Sequence, residues 1–255
     1  MKPRIVLVEP QGPLNVGSIA RVMKNFGFDS LIAVNPRCDV HSQEAFNMAT
    51  HGADILREIR CVSTMAEALE GCSTVMATTA KSRQIQETML EPDPIFNRII
   101  SQNQPSGILF GAEDRGLSNE ELQWAQHWIH IPASPEFSTL NLAQSVGICC
   151  YRWFCAEQAT TSDHPEEQSG QAQTLAPVTD MNHFLEHLSE LLLEIGYLYP
   201  HTVEARMNKI RRMLFRAQPS PDDLALLRGM IRQTRWALDQ QSQPASMEQQ
   251  KNKLY

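Results

Sequence analysis

The chain has 255 residues, of which 42% are hydrophobic and 20% charged, with a formal net charge of −7. This length exceeds one average domain, and this composition is typical of a globular protein rather than a disordered or fibrous one. No run approaches the roughly eighteen apolar residues of a membrane span, and no signal-peptide pattern precedes the first strand pattern. The six cysteines form no C-x-x-C pair and lie in apolar segments, which favours reduced thiols and a cytoplasmic protein.

Residues 1–155 alternate short apolar strand patterns with helical patterns. The strand patterns are Ile5–Val8, Leu31–Val34, Thr74–Ala77, Ile108–Phe110 and Trp128–Ile131. The helical patterns are Val16–Phe26, Glu120–Ala125 and Leu142–Phe154. Such alternation predicts an α/β layer with a largely parallel sheet.

A polar stretch separates this part from a second set of helical patterns. Residues 157–178 are mostly Gln, Ser, Thr, Glu and Pro, which predicts a linker. Apolar stripes resume at Met181, and Ser220-Pro221-Asp222-Asp223 is typical of a capped helix start. We therefore expect an α/β domain over 1–156, a flexible linker over 157–179, a helical domain of about three helices over 180–240 and a polar tail over 241–255.

Positive charge is concentrated in the predicted helical domain. Between His201 and Trp236 there are eight Lys and Arg residues against three Asp and Glu residues, a surplus of five positive charges in an otherwise acidic chain. Lys209, Arg212 and Arg216 share one predicted helical face, and Arg228, Arg232 and Arg235 share another. Two basic faces on neighbouring helices favour contact with nucleic-acid phosphates, although such residues also suit a solvated surface.

Three loops at strand ends carry candidate functional residues. They contain N-x-G-S-x-x-R at Asn15–Arg21, F-G-x-E-x-x-G-L at Phe110–Leu117 and T-L-N-L-A at Thr139–Ala143. Each also has a purely structural interpretation, because Asn, Ser and Thr commonly cap helices and an Arg on a helix is commonly solvated. The glycine loop matches neither G-x-G-x-x-G nor a P-loop, so its spacing alone does not identify a nucleotide site.

Taken together, the order and spacing of these three motifs resemble the SpoU branch of the SPOUT RNA methyltransferases. The C-terminal stretch, with Met207–Arg216 and Leu227-Arg228-Gly229, resembles the TrmJ subgroup. The resemblance implies a SPOUT-type open parallel sheet with a C-terminal trefoil knot, followed by a small helical domain. It also implies a homodimer whose two sites each borrow residues from both chains. The implied activity is methyl transfer from S-adenosylmethionine to a ribose 2′-hydroxyl of tRNA, at nucleotide 32 of the anticodon loop.

The resemblance also assigns site residues. The implied cofactor-binding residues are Thr78, Thr79, Ala80, Gly111, Ile131, Ser138, Thr139 and Leu140. The implied catalytic residues are Asn15, Arg21, Glu113, Thr139 and Asn141. The family usually has Ser where this chain has Thr139, which keeps the hydroxyl but adds a methyl group.

Roles for three catalytic residues follow from elementary chemistry. A guanidinium stays protonated in proteins, so Arg21 is expected to stabilise the developing alkoxide and hold a phosphate rather than act as a base. Glu113 is expected to orient Arg21 or the cofactor ammonium, and Asn15 to position the ribose. The predicted RNA-binding residues are Lys81, Arg83, Lys209, Arg212, Arg216, Arg228 and Arg232.

Other functions stay open at this point. The same chemistry could act on rRNA or on another tRNA position, and a protein of this fold could bind RNA without catalysis. His183–His187 matches the H-x-x-E-H pattern of inverted zinc peptidases, but no downstream Glu ligand stands out. The predicted chemistry needs no metal and no membrane partner.

Overall fold

A computed structural model describes residues 1–79, 91–162 and 174–242. The chain divides into two compact units, the first ending at Thr179 and the second beginning at Asp180. No helix within those residues is long and apolar enough to cross a bilayer. All six cysteines are free thiols, and Cys149 and Cys150 are buried in the core.

The first unit is built on a parallel sheet whose described strands number six. In chain order these are β1 (Arg4–Val8), β2 (Leu31–Val34), β3 (Arg60–Val62), β4 (Thr74–Thr78), β5 (Ser106–Phe110) and β6 (His127–Ile129). Their spatial order is β3-β2-β1-β5-β4-β6, and every neighbouring pair is parallel. The five predicted strands are confirmed, with β6 ending at Ile129 rather than Ile131. The sequence patterns missed β3, a short edge strand that is mostly exposed.

Helices cover both faces of this sheet. They are α1 (Pro13–Asn25), α2 (Gln43–Ala49), α3 (Ala53–Arg57), α4 (Met65–Ala68), α5 (Pro92–Gln102), α6 (Asn119–Leu122) and α7 (Leu142–Ser162). Successive residues of β1 point to opposite faces, so Ile5 and Leu7 join the core under α1 and α7 while Val6 and Val8 join the core on the other side. The sheet is therefore the middle of a three-layer α/β unit.

Helices extend into both ends of the predicted linker 157–179. Helix α7 continues to Ser162, and Gln158 and Thr160 lie on its exposed surface beyond the buried Ala156. At the other end Val178 is fully buried in the first unit, and its N–H donates to the Cys72 carbonyl at 2.8 Å. Ala176 and Val178 are both buried, so the C-terminal end of this polar segment packs into the first unit.

The second unit contains the three predicted helices. They are α8 (Val178–Glu194, which begins in the first unit), α9 (Val203–Ala217) and α10 (Pro221–Ser242). The start of α10 is as predicted, because the Asp223 N–H donates to Ser220 Oγ at 3.2 Å and the Ser220 N–H donates to Asp223 Oδ2 at 2.9 Å. No α9 side chain, all of which the structure describes, is fully buried.

Helix α1 lies unusually close to the segment that follows β2. A Cβ atom built on Gly17 would lie 2.3 Å from the Ala45 carbonyl oxygen, and one on Gly52 would lie 2.6 Å from the Ala20 carbonyl oxygen. No side chain fits at either distance, so the glycines at these positions are required by packing. The Gly17 of the N-x-G-S-x-x-R motif is thus explained without reference to any ligand.

We expect Gly17→Ala to lower the free energy of unfolding by about 1–3 kcal/mol, because the added methyl group forces α1 away from Ala45. Gly229→Ala is the matched control, since Gly229 lies inside α10 with no atom within 4 Å of an added Cβ. That change should raise the free energy of unfolding by about 0.5–1 kcal/mol through backbone entropy. Urea unfolding measures both, and equal stability of Gly17→Ala and the wild type would contradict the packing argument.

Candidate active site

A cavity of about 590 Å³ opens at the carboxyl ends of β4, β5 and β6. Three loops line it, those following β4, β5 and β6, and a cavity of this size suits a small organic cofactor. Of the predicted cofactor-binding residues, the structure places seven in its lining: Thr78, Thr79, Gly111, Ile131, Ser138, Thr139 and Leu140. The eighth, Ala80, lies outside the described residues.

The loop after β5 forms a tight turn that brings backbone to the cavity wall. The Gly116 N–H donates to the Ala112 carbonyl at 2.8 Å, and Gly116 adopts a positive φ of 70°. A Cβ on Gly111 would lie 2.1 Å from the Gly116 carbonyl carbon, so only glycine allows this turn to close. The glycines of the second motif therefore expose backbone atoms to whatever occupies the cavity.

Glu113 connects this turn to the start of α1. Its Oε1 accepts hydrogen bonds from the Gly12 N–H at 3.1 Å and from Asn15 Nδ2 at 3.0 Å, and its Oε2 accepts one from the Gln11 N–H at 2.9 Å. The carboxylate thus occupies the positive end of α1, where unpaired N–H groups favour an anion. Asn15 is the third residue of α1 rather than its cap, a position that Gly12 holds.

Asn141 extends the same network to α7. Its Oδ1 caps that helix by accepting from the Ala143 N–H at 2.8 Å, and its Nδ2 donates to Asn15 Oδ1 at 3.1 Å. Both ends of the Asn15 amide are therefore engaged, one by Glu113 and one by Asn141. Three of the predicted catalytic residues are brought together by hydrogen bonds, at the edge of a cavity that Thr139 also lines.

Sequence reasoning missed Arg115, which lines the cavity and holds the loop after β5 through two ion pairs. Its guanidinium forms ion pairs with Glu121 Oε1 and with Glu9 Oε2, both at 2.8 Å. These two partners, Glu121 foremost, raise the pKa of Arg115 further above its ordinary value. Burial alone would raise the pKa of Glu121, but Arg115 and the Ser118 N–H outweigh it and hold that pKa below its ordinary value. The S-x-x-E spacing of Ser118 and Glu121, a capping box in the structure, was the available signal.

Arg21 lies apart from this network in the same chain. Its side chain is exposed and does not line the cavity, and among the described residues it has no hydrogen-bond or ion-pair partner. Within one chain Glu113 does not contact Arg21, because its two carboxylate oxygens accept from Gln11, Gly12 and Asn15. The alternative that Glu113 orients the cofactor ammonium stays a prediction.

Comparison with known proteins identifies the fold and both units. Residues 2–151 match the SpoU rRNA Methylase family. The chain belongs to the SpoU methylase family. Residues 179–246 match a second model, the C-terminal domain of the tRNA methyltransferase TrmJ.

Individual relatives agree with both matches. The tRNA (cytidine/uridine-2′-O-)-methyltransferase TrmJ of Klebsiella pneumoniae is 39% identical over 89% of this chain and 94% of its own length. The Escherichia coli K12 protein of the same name is 38% identical over 89% of this chain and 93% of its own. The crystal structure of TrmJ from Z. mobilis superposes with a TM-score of 0.79 at 31% identity, covering 92% of this chain and all of that one.

Within the domain that matches TrmJ, the predicted RNA-binding residues differ in their surroundings. Lys209 and Arg216 are exposed on α9, and Arg212 is half-buried beside them. Arg228 and Arg232 line a second cavity, of about 420 Å³, together with Trp236. Arg235 lines the same cavity, as its place on the predicted basic face requires, but its charge is paired with Glu190 at 2.9 Å. Lys81 and Arg83 lie outside the described residues.

The possible zinc motif lies on α8, where His183 and His187 are both exposed. In the part of the chain that the structure describes, no three His, Cys, Asp or Glu side chains are placed to hold a metal ion.

We expect Glu113→Gln to lower the free energy of unfolding by about 1–3 kcal/mol. Both oxygens of Glu113 accept hydrogen bonds from N–H groups in the wild type, and the variant replaces one of these oxygens with an NH2 group that cannot accept them. Glu120→Gln is the matched control, since Glu120 is an exposed acid seven residues further along the chain, and it should change stability by less than about 0.5 kcal/mol. Chemical denaturation measures both variants. Indistinguishable curves for the two would show that the Glu113 network does not stabilise the fold.

Proposed function

We propose that this protein transfers a methyl group from S-adenosylmethionine to the ribose 2′-hydroxyl of nucleotide 32 in the tRNA anticodon loop. The observation that carries the proposal is the cavity at the ends of β4, β5 and β6, lined by the predicted cofactor residues with Asn15, Glu113 and Asn141 at its edge. The names of the TrmJ relatives support tRNA as substrate, and the second unit supports the same subgroup.

The cavity fits the cofactor in size and in chemistry. Its lining includes the backbone around Gly111 and the hydroxyl-bearing residues Ser138 and Thr139, which suit the adenosine and amino-acid parts of such a molecule. The Thr78 hydroxyl donates to the Leu109 carbonyl at 3.0 Å. When bound, S-adenosylmethionine supplies an electrophilic methyl group on a sulfonium. Thr139 lines the cavity, and its side chain keeps the hydroxyl of the family Ser.

The residues of the chain contribute orientation and charge. Asn15 and Asn141 hold each other in fixed rotamers, so a free Asn15 N–H can orient the ribose at small entropic cost. Arg21 stays protonated and stabilises the negative charge that develops on the 2′-oxygen. The proposed tRNA substrate and the free thiols support a cytoplasmic location.

We propose further that the enzyme is a homodimer with composite sites, in which Arg21 of one chain serves the cavity of the other. The exposure of Arg21, and its separation from the cavity lining of its own chain, support this arrangement. The family resemblance supports the trefoil knot as well, formed where the chain returns from edge strand β6 to α7, which packs against α1 and α5.

Arg21→Lys should retain cofactor binding but lose activity by about a hundredfold, because a point charge cannot replace a planar fork. Gly111→Ala should lose cofactor binding through the clash with Gly116. Co-expression of the two inactive variants should restore about a quarter of wild-type activity, since half of the dimers are mixed and each mixed dimer has one intact composite site. Failure of the mixture to regain activity, with dimers present by light scattering, would place Arg21 in the site of its own chain.

The helical unit is proposed to dock the tRNA through α9 and α10. Neutralising Lys209, Arg212 and Arg216 together as Gln should weaken tRNA binding and make the slope of log affinity against log salt shallower by about 2–3, because fewer counterions are released. Calorimetric titration with S-adenosylmethionine should be unchanged. A triple variant with the wild-type salt slope would show that these side chains are solvated surface. Mass spectrometry of oligonucleotide fragments of tRNA from a deletion strain then tests the position, and loss of methylation in rRNA alone would reassign the substrate.

A further inference from the structure

The turn between α8 and α9 presents two tyrosines to solvent. Tyr197 is 58% exposed and Tyr199 is 54% exposed, whereas Leu198 between them is 2% exposed. Leu198 therefore anchors the turn in the helical unit while its two neighbours face outward. Binding of a ligand to these rings would remove their apolar surface from water and so stabilise the complex.

Backbone hydrogen bonds fix this turn. The Leu198 N–H donates to the Leu192 carbonyl at 2.9 Å, and the Tyr199 carbonyl accepts from the Thr202 and Val203 N–H groups at 2.9 and 3.0 Å. Gly196 supplies the positive φ of 73° at which α8 ends. Because the turn is already ordered, binding to its aromatic rings costs little conformational entropy.

Cationic and aromatic groups stand beside both rings. The Arg206 guanidinium lies 5.8 Å from the centre of the Tyr197 ring, and its Nη1 donates to the Tyr197 carbonyl at 3.0 Å. The Tyr199 and His201 rings are stacked, with their centres 5.9 Å apart and their planes 19° apart. In the described part of the chain no carboxylate pairs with Arg206, so its charge is available to an anion.

We propose that Tyr197 and Tyr199 stack on unpaired bases of the tRNA substrate while Arg206 contacts an adjoining phosphate. This inference rests on the proposed function, and it adds a site for single-stranded RNA to the basic residues of α9 and α10. Proteins recognise unpaired RNA by stacking its bases on aromatic rings and Arg planes within a positively charged surface. The surplus of five positive charges between His201 and Trp236 favours such a polyanion over a protein partner.

The test uses the full-length protein with two RNAs, an unmodified tRNA transcript and a fully paired duplex of equal length. Tyr197→Leu and Tyr199→Leu keep apolar bulk but remove the ring, and each should weaken tRNA binding about fivefold or more. Tyr197→Phe and Tyr199→Phe should bind tRNA as the wild type does. Duplex affinity and the salt slope for tRNA should not change in the Leu variants, because stacking releases no counterions.

Leu226→Ala is the matched control, since Leu226 is an apolar residue of the same unit that is 63% exposed, and its loss should leave tRNA affinity unchanged. Wild-type tRNA affinity in both Leu variants would overturn the inference, as would an equal loss for tRNA and duplex. A change in dimer mass or melting temperature without a change in tRNA affinity would assign the tyrosines to a protein contact instead. If the Lys209, Arg212 and Arg216 variant still weakens tRNA binding in that case, the proposed function stands and only the stacking site fails.

Discussion

The carboxylate of Glu113 is the contact on which the candidate site depends. It lies where β1 and β5 are neighbours in the sheet, so a loop residue of β5 reaches the first N–H groups of the helix that follows β1. The same carboxylate orients Asn15, which in turn is hydrogen-bonded to the cap of α7. Two helices and one cavity loop are thus aligned by a single side chain. Preorganisation of this kind lets a site orient its substrate without having to order itself first.

The sheet could be predicted because its central strands are short, buried and mostly apolar runs with sharp ends. The shorter elements could not. Strand β3 has two exposed residues of three and so lacks an apolar pattern, and α3 and α4 are too short to display a helical period. Helix α5 begins with Pro92. In a sequence a Pro often indicates a turn, although it also suits the first position of a helix.

The site shows a different limit. The motifs predict which residues lie at the cavity, but they do not predict the hydrogen-bond and ion-pair partners of these residues. Glu113 accepts hydrogen bonds from the backbone N–H groups of Gln11 and Gly12. Because every residue except Pro has such a group, the residue types do not reveal these partners. Arg235 is similar, because its partner Glu190 lies on another helix and 45 positions away in the chain. Contacts between distant residues depend on how the helices are aligned, which composition and periodicity do not fix.

The close approach of Gly17 to Ala45 has a consequence for how the first motif should be interpreted in other chains. Asn15 and Arg21 are polar residues with proposed chemical roles, whereas Gly17 between them is held by van der Waals exclusion. If the activity were no longer selected, the requirement for the polar residues would be lost while the packing requirement at Gly17 would remain. A descendant that had lost activity would be free to replace Arg21 but would lose stability on replacing Gly17 or Gly52. A retained glycine beside a missing arginine is therefore the sequence signature by which a silent member of the family could be recognised.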